Sequence, residues 1–101
     1  MIIYNVTIKV AEAIKDEWLA WLKQEHIPDV LGTKCFLKAT IMQLLEVDDS
    51  EGPTYAIQYQ AESLDDYERY LNEFAVTMRQ RSFDRWGDQF IAFRTIMEVV
   101  N

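Results

Sequence analysis

Ile2-Ile3-Tyr4-Asn5-Val6-Thr7-Ile8-Lys9-Val10-Ala11-Glu12-Ala13-Ile14-Lys15-Asp16-Glu17-Trp18-Leu19-Ala20-Trp21-Leu22 changes its apolar period midway, and that change decides the fold. Up to Val10 the residues alternate. Ile2, Tyr4, Val6, Ile8 and Val10 share one face, and Ile3, Asn5, Thr7 and Lys9 the other. Such alternation marks a half-buried strand. From Ala11 onward Ile14, Trp18, Trp21 and Leu22 fall on one helical stripe, with Lys15, Asp16 and Lys23 opposite. Pro28 disfavours helical geometry at Ile27, so this helix is expected to stop near His26. Pro28 can then open a short turn, Asp29-Val30-Leu31, closed by Gly32.

Working outward, Cys35 to Val47 reads as a long strand with apolar residues on both faces. Leu37, Ala39, Ile41, Gln43, Leu45 and Val47 lie on one side, and Phe36, Lys38, Thr40, Met42, Leu44 and Glu46 on the other. Asp48-Asp49-Ser50-Glu51-Gly52-Pro53 is a turn by composition. Tyr55, Ile57 and Tyr59 then alternate with Ala56, Gln58 and Gln60 as the return strand of a hairpin. Ser63 suits a helix N-cap, followed by Asp65 and Asp66 in the first turn. Leu64, Tyr67, Leu71, Phe74, Ala75 and Met78 form the cleanest amphipathic stripe in the chain. A second helical piece around Phe83 and Trp86 ends at Gly87, and Phe90 to Val100 closes the chain as a strand. The order is β-α-β-β-α-β. It predicts an α+β fold, the ferredoxin-like plait: a four-stranded antiparallel sheet with two helices on one face.

The chain has 101 residues, 50% apolar and 27% charged. One domain over residues 1–101 is expected, because domains run to roughly 100–200 residues. Seventeen acidic residues against ten basic ones give a net charge of −7, which opposes nucleic acid and anionic membrane as partners. Cys35 is the single cysteine, so no intrachain disulfide and no multi-cysteine metal site can form. With one histidine, His26, a zinc site would need carboxylates for nearly every ligand, and no metal site is expected. The N-terminal segment alternates and lacks a basic region, unlike a secretory signal. No segment approaches the roughly 20 apolar residues of a membrane span. A cytoplasmic location is expected.

Two helices cover only one face of such a sheet. The parity of the strands assigns to the uncovered face Ile3, Asn5, Thr7, Phe36, Thr40, Met42, Leu44, Ala56, Gln58, Phe90, Ala92, Arg94 and Ile96. Ile91, Phe93, Met97 and Val99 take the other side of the last strand. The uncovered set is too apolar for open solvent, since monomers seldom expose contiguous apolar patches beyond a few hundred Å². A two-fold homodimer with facing sheets is the simplest expectation. Ile3, Phe36, Thr40, Met42, Leu44, Phe90, Arg94 and Ile96 are its candidate contacts.

The chain also resembles a family of small bacterial proteins of unknown function. The resemblance is carried by Met1-Ile2-Ile3-Tyr4-Asn5-Val6-Thr7, Asp16-Glu17-Trp18, Glu25-His26-Ile27-Pro28-Asp29-Val30-Leu31 and Leu45-Glu46-Val47. It continues through Tyr55-Ala56-Ile57-Gln58-Tyr59, Arg69-Tyr70-Leu71 and Phe93-Arg94-Thr95-Ile96-Met97-Glu98-Val99-Val100. That family is similar to the dimeric α+β barrel superfamily, which implies two plaits packed sheet to sheet. The superfamily includes antibiotic-biosynthesis monooxygenases, haem-degrading enzymes, muconolactone isomerases and stress-response proteins, and fold does not choose among them. Haem-degrading members pair an Asn on the first strand with a Trp and a His. Asn5 and Trp86 match in type, but the second helix carries no histidine.

His26 is the one side chain that titrates near neutral pH without a large shift. Beside Glu25 and Asp29 it is the candidate for general acid/base work, and the alternative is a cap on the last carbonyls of its helix. Trp18, Trp21, His26, Asp29, Trp86 and Asn5 are candidates to line a cleft for a small apolar or aromatic ligand. Aromatics at helical spacing also serve simply as core. Asp48, Asp49 and Glu51 lack the alternation of a calcium loop, and the central strands lack the basic and glycine positions of an RNA platform. No phosphate loop or nucleophile–base arrangement occurs, and no cofactor is expected. The leading expectation is a non-enzymatic binding module for a small ligand or a protein. A cofactor-independent oxygenase or isomerase, acting on an aromatic or conjugated molecule, is the alternative.

Overall fold

The computed structural model of the chain describes residues 1–101. Strand β1 (Ile2–Val10) leads through a 3-10 turn (Glu12–Ile14) into α1 (Lys15–Trp21). A π turn (Leu22–His26) joins α1 to α2 (Ile27–Gly32). The hairpin strands β2 (Lys38–Gln43) and β3 (Thr54–Ala61) follow, then α3 (Leu64–Glu73), α4 (Ala75–Trp86) and β4 (Phe90–Glu98). The strands form one sheet in the order β2-β3-β1-β4 with every neighbouring pair antiparallel. This is the ferredoxin-like plait.

The first helical region does not stop at His26. Ile27 has φ −61° and ψ −46°, and its N–H donates to the carbonyl of Leu22 five residues earlier. The widened turn lets the chain stay helical up to Pro28, whose missing N–H falls in the first turn of α2 where no partner is needed. His26 is therefore mid-path rather than terminal. Its imidazole stacks on Trp21, with no backbone carbonyl capped by it. Ser63 caps α3 as expected, its hydroxyl accepting from the Asp66 N–H at 3.3 Å. The amphipathic stripe that continues to Met78 is split at Phe74, where φ −128° ends α3 and opens α4.

β2 is shorter than its apolar pattern suggests. Lys34 (φ 66°) precedes it and Glu46 (φ 58°) follows it, both in left-handed conformations that a pleated strand does not accommodate. Phe36 consequently lies outside the strand and turns inward. Its ring packs 5.9 Å from Tyr4, 5.3 Å from Tyr59 and 5.0 Å from Tyr70. It is core, not part of the open face.

The register of β4 overturns a second assignment. Phe90 pairs with Val10, Arg94 with Val6 and Ile96 with Tyr4. Directly opposed residues point to the same side of a sheet, so Phe90, Ala92, Arg94 and Ile96 share the helix-covered face. The open face carries Ile3, Asn5 and Thr7 of β1, Thr40 and Met42 of β2, Ala56 and Gln58 of β3, and Ile91, Phe93, Thr95 and Met97 of β4. Leu44, just beyond β2, is half-buried and keeps a ladder bond from its N–H to the Thr54 carbonyl at 2.9 Å.

Between sheet and helices lies the core, built on Tyr4, Val6, Val10, Ile57 and Tyr59 from the sheet and Trp18, Leu22, Val30, Tyr70, Met78 and Trp86 from the helices. Arg69 ties α3 to the end of α2, donating to the carbonyls of Thr33 (3.3 Å) and Lys34 (3.1 Å). No helix is long and apolar enough to cross a membrane.

Candidate functional site

The strand periodicity of β1, β3 and β4 directs Tyr4, Val6, Ile8, Ile57, Tyr59, Phe90, Ala92 and Arg94 toward the helices. There they meet Leu22 and His26 of the π turn, Tyr70 of α3, and Met78, Arg79 and Ser82 of α4. These fourteen residues enclose a cavity of about 50 Å³, and ten of them are apolar. A buried site needs roughly 10–15 Å³ to hold one water, and a cavity of about 150 Å³ holds benzene. The enclosed part therefore admits a slim group, and anything larger extends into the mouth.

The polar groups sit on the helix side and at the β4 edge. Arg79 donates from Nη2 to the Tyr4 hydroxyl at 3.3 Å. The Ser82 hydroxyl donates to the Met78 carbonyl at 3.3 Å. His26 is held by its stack on Trp21, with ring centroids 4.8 Å apart. Burial pushes its pKa down to about 4; the Asp29 carboxylate opposes this, while Arg81 and Arg94 reinforce it. The imidazole is neutral at pH 7 and able to donate one hydrogen bond and accept another. Burial likewise raises the Tyr59 and Tyr70 hydroxyls above the ordinary phenol value, so both remain protonated donors.

Of the six residues expected to line a cleft, His26 alone reaches this cavity. Trp18 is core, its ring stacked 5.5 Å from Tyr55. Trp21 backs His26 and meets Trp86 edge-on at 5.9 Å, and Arg85 covers the outer face of Trp86 at 4.2 Å. Asp29 lies outside the cavity, paired with Arg81 at 3.4 Å in a surface groove that Trp21, Glu25, His26, Asp84 and Arg85 also line. Asn5 is on the opposite face of the sheet, because its neighbours Tyr4 and Val6 are the ones that point to the helices. Its Nδ2 donates to Thr7 at 3.0 Å, while its Oδ1 is buried without a partner. No group of three or more His, Cys, Asp or Glu side chains is placed to hold a metal ion.

Arg79, Tyr70 and Ser82 are not among the expected site residues, and Arg94 is expected at the dimer face rather than at a cleft. Ser82 follows Met78 by four residues and Arg79 by three, spacings that make it the helix-surface neighbour of both. Arg94 interrupts the row Phe90, Ala92, Ile96, a signal that has meaning only once that row is known to face inward.

Residues 1–100 match the family described as a domain of unknown function, DUF4286. The chain belongs to that family. No curated protein matches the chain in sequence. Among solved structures, the DUF4286 chain is similar to a dimeric ferredoxin-like protein from an uncultured marine organism. The TM-score is 0.75 at 10% identity, covering 99% of this chain and 95% of the other. It is similar to an ethyl tert-butyl ether d (EthD) family protein from Bacillus halodurans, with TM-score 0.71, 9% identity and coverage of 99% and 100%. It is also similar to SnoaB, a cofactor-independent oxygenase from Streptomyces nogalater, with TM-score 0.67, 10% identity and coverage of 99% and 94%. At these identities the likeness establishes the shared plait in the DUF4286 chain.

Proposed function

We propose that this DUF4286 chain is a homodimer, paired through its open sheet faces, that binds a small apolar or aromatic molecule between sheet and helices without transforming it. The observation that carries the ligand half is the cavity itself, apolar in its walls and furnished with a few convergent polar groups, the usual composition of a small-molecule site. The dimer half is supported by the open face. Phe93 is 66% exposed, Ile91 59% and Met97 40%, on one strand side that no element of the chain covers. The dimeric description of the marine relative agrees with that arrangement.

Light scattering at micromolar concentration tests the dimer, and a strictly monomeric species would overturn it. Titration of the labelled chain with hexanamide and hexanoate, followed by amide chemical shifts, tests the cavity. Shifts centred on Leu22, Met78, Ser82 and Ala92 with either compound are expected. Their absence with both would remove the ligand reading.

A second reading, a cofactor-independent oxygenase or isomerase acting on a conjugated molecule, is favoured by the neutral His26 at the cavity and by the likeness to SnoaB. Its imidazole would take a proton from a carbon beside the conjugated system and return one. The same burial and arginine charge that keep His26 neutral also make it a weak base, since catalysis favours a pKa near the working pH. Binding therefore comes first. Exchange of the γ-protons of cyclohex-2-enone in deuterated water, catalysed by the wild type and lost in a folded His26→Ala variant, would reverse that order.

A further inference from the structure

The chain carries 17 acidic and 10 basic residues, yet no Asp or Glu lines the cavity. Its charged members are Arg79 and Arg94. The ion pairs of the structure are Lys15–Glu12, Arg69–Asp66 and Arg81–Asp29, and they include neither. Arg79 uses one N–H on the Tyr4 hydroxyl, an acceptor without charge. The arginine hydrogen bonds made within the chain belong to Arg69, Arg79 and Arg81, none to Arg94. Arg79 and Arg94 are both exposed, so their guanidinium groups stand solvated at the mouth of the cavity with no carboxylate of the chain paired to them.

The two come from different elements, Arg79 from α4 and Arg94 from β4, and both border the same opening. Both also act on the Tyr70 hydroxyl, each favouring its ionised form, so their fields overlap at the cavity wall. A guanidinium offers five donors in a rigid plane, which suits the two oxygens of a carboxylate. The inner walls are of another kind: Val6, Leu22, Ile57, Met78 and Ala92 offer only apolar surface, and the flexible Met78 can adapt to an occupant.

Resting on the reading of this cavity as a ligand site, the geometry points to a small anion of the carboxylate class with a slim apolar tail. The tail occupies the enclosed space and the anionic head lies between Arg79 and Arg94. An enclosed volume of about 50 Å³ is well below the roughly 150 Å³ that accepts benzene. Only the innermost part of a tail is enclosed, and the rest of the molecule extends into the mouth.

The test compares hexanoate with its neutral isostere hexanamide, at pH 7 and low salt, on the full chain. Hexanoate is expected to bind about tenfold more tightly or better, since hydrogen bonds to charged groups are roughly twice as strong as neutral ones. Arg94→Gln and Arg79→Gln should each remove most of that advantage, hexanoate losing more affinity than hexanamide, with native far-ultraviolet circular dichroism showing that the variants are folded. Equal binding of the two compounds by the wild type overturns the anion assignment and leaves the cavity reading standing. A hexanoate preference that survives in the double variant overturns it as well. Failure of both compounds to bind overturns the cavity reading together with the inference.

Discussion

The imidazole of His26 lies 4.8 Å from the indole of Trp21, ring planes inclined by 22°, on the inner wall of a helix that Pro28 would ordinarily have ended. This stack explains why a lone histidine is drawn into the protein. The π turn rotates His26 toward the cavity, and the Trp21 face replaces water on one side of the ring.

Its titration should be visible in stability. The folded pKa of about 4 lies below the ordinary value of 6.5, so between these values the unfolded chain binds the extra proton. Stability contributed by neutral His26 is full above pH 6.5, falls as pH drops toward 4, and is constant below. At about 1.4 kcal/mol per pH unit, the loss between pH 7 and pH 4 amounts to about 3 kcal/mol. Urea unfolding of wild type and His26→Gln between pH 7 and pH 4 should show a difference that shrinks by this amount on acidification. Parallel profiles would mean the imidazole is solvated.

Trp18 is 1% exposed and stacked on Tyr55. Trp18→Ala should cost about 3–5 kcal/mol, the usual range for a buried aromatic reduced to Ala. Denaturant midpoints at constant slope would measure it. A loss below about 1 kcal/mol would show that the surrounding helices collapse into the space.

The glycines should rank differently. Gly52 has φ +136°, and a Cβ placed on it would stand 1.8 Å from the Val10 carbonyl oxygen. That approach is held by the Val10 N–H to Pro53 carbonyl bond at 3.0 Å and the Glu12 N–H to Glu51 carbonyl bond at 3.0 Å. Gly87 has φ +61° with open space around it, and Gly32 has neither constraint. Thermal melts should place Gly52→Ala as the most damaging, Gly87→Ala at about 1–3 kcal/mol, and Gly32→Ala close to wild type.

Phe93 and Ile91 lie on the open face and contribute little to the core of one chain. Phe93→Lys combined with Ile91→Lys should convert a dimer into a folded monomer, seen as a halved mass in light scattering with native far-ultraviolet circular dichroism. A mass unchanged by both substitutions would place the interface elsewhere.

How far the sequence was legible depended on whether one pattern admitted one reading. β1 alternates polar against apolar, and only one of its faces could be inside. β4 has Phe90, Ala92 and Ile96 on one parity and Ile91, Phe93 and Met97 on the other, so both faces are apolar enough to be core. Nothing local chooses between them. The pairing of Arg94 with Val6 does, and it moves Arg94 from the open face to the cavity. Phe36 failed for a related reason: alternation assigned it a side, but the left-handed Lys34 sets where β2 can begin. The expected stop near His26 fails, because Ile27 stays helical and the chain passes Pro28 through one widened turn.

Periodicity and capping signals by themselves determined the order of elements, the plait, the inward face of β1 and β3, and the presence of more apolar surface than two helices can cover. These are local properties, repeated along the chain and dictated by backbone geometry. Tertiary structure alone decided which face of β4 is inside, that the helix continues past His26, and that Arg79 and Arg94 line one cavity. Those relationships depend on the register of paired strands and on where a helix crosses them. A shift of one residue in register reverses every side chain on a strand, and no local pattern encodes that choice when both faces are apolar.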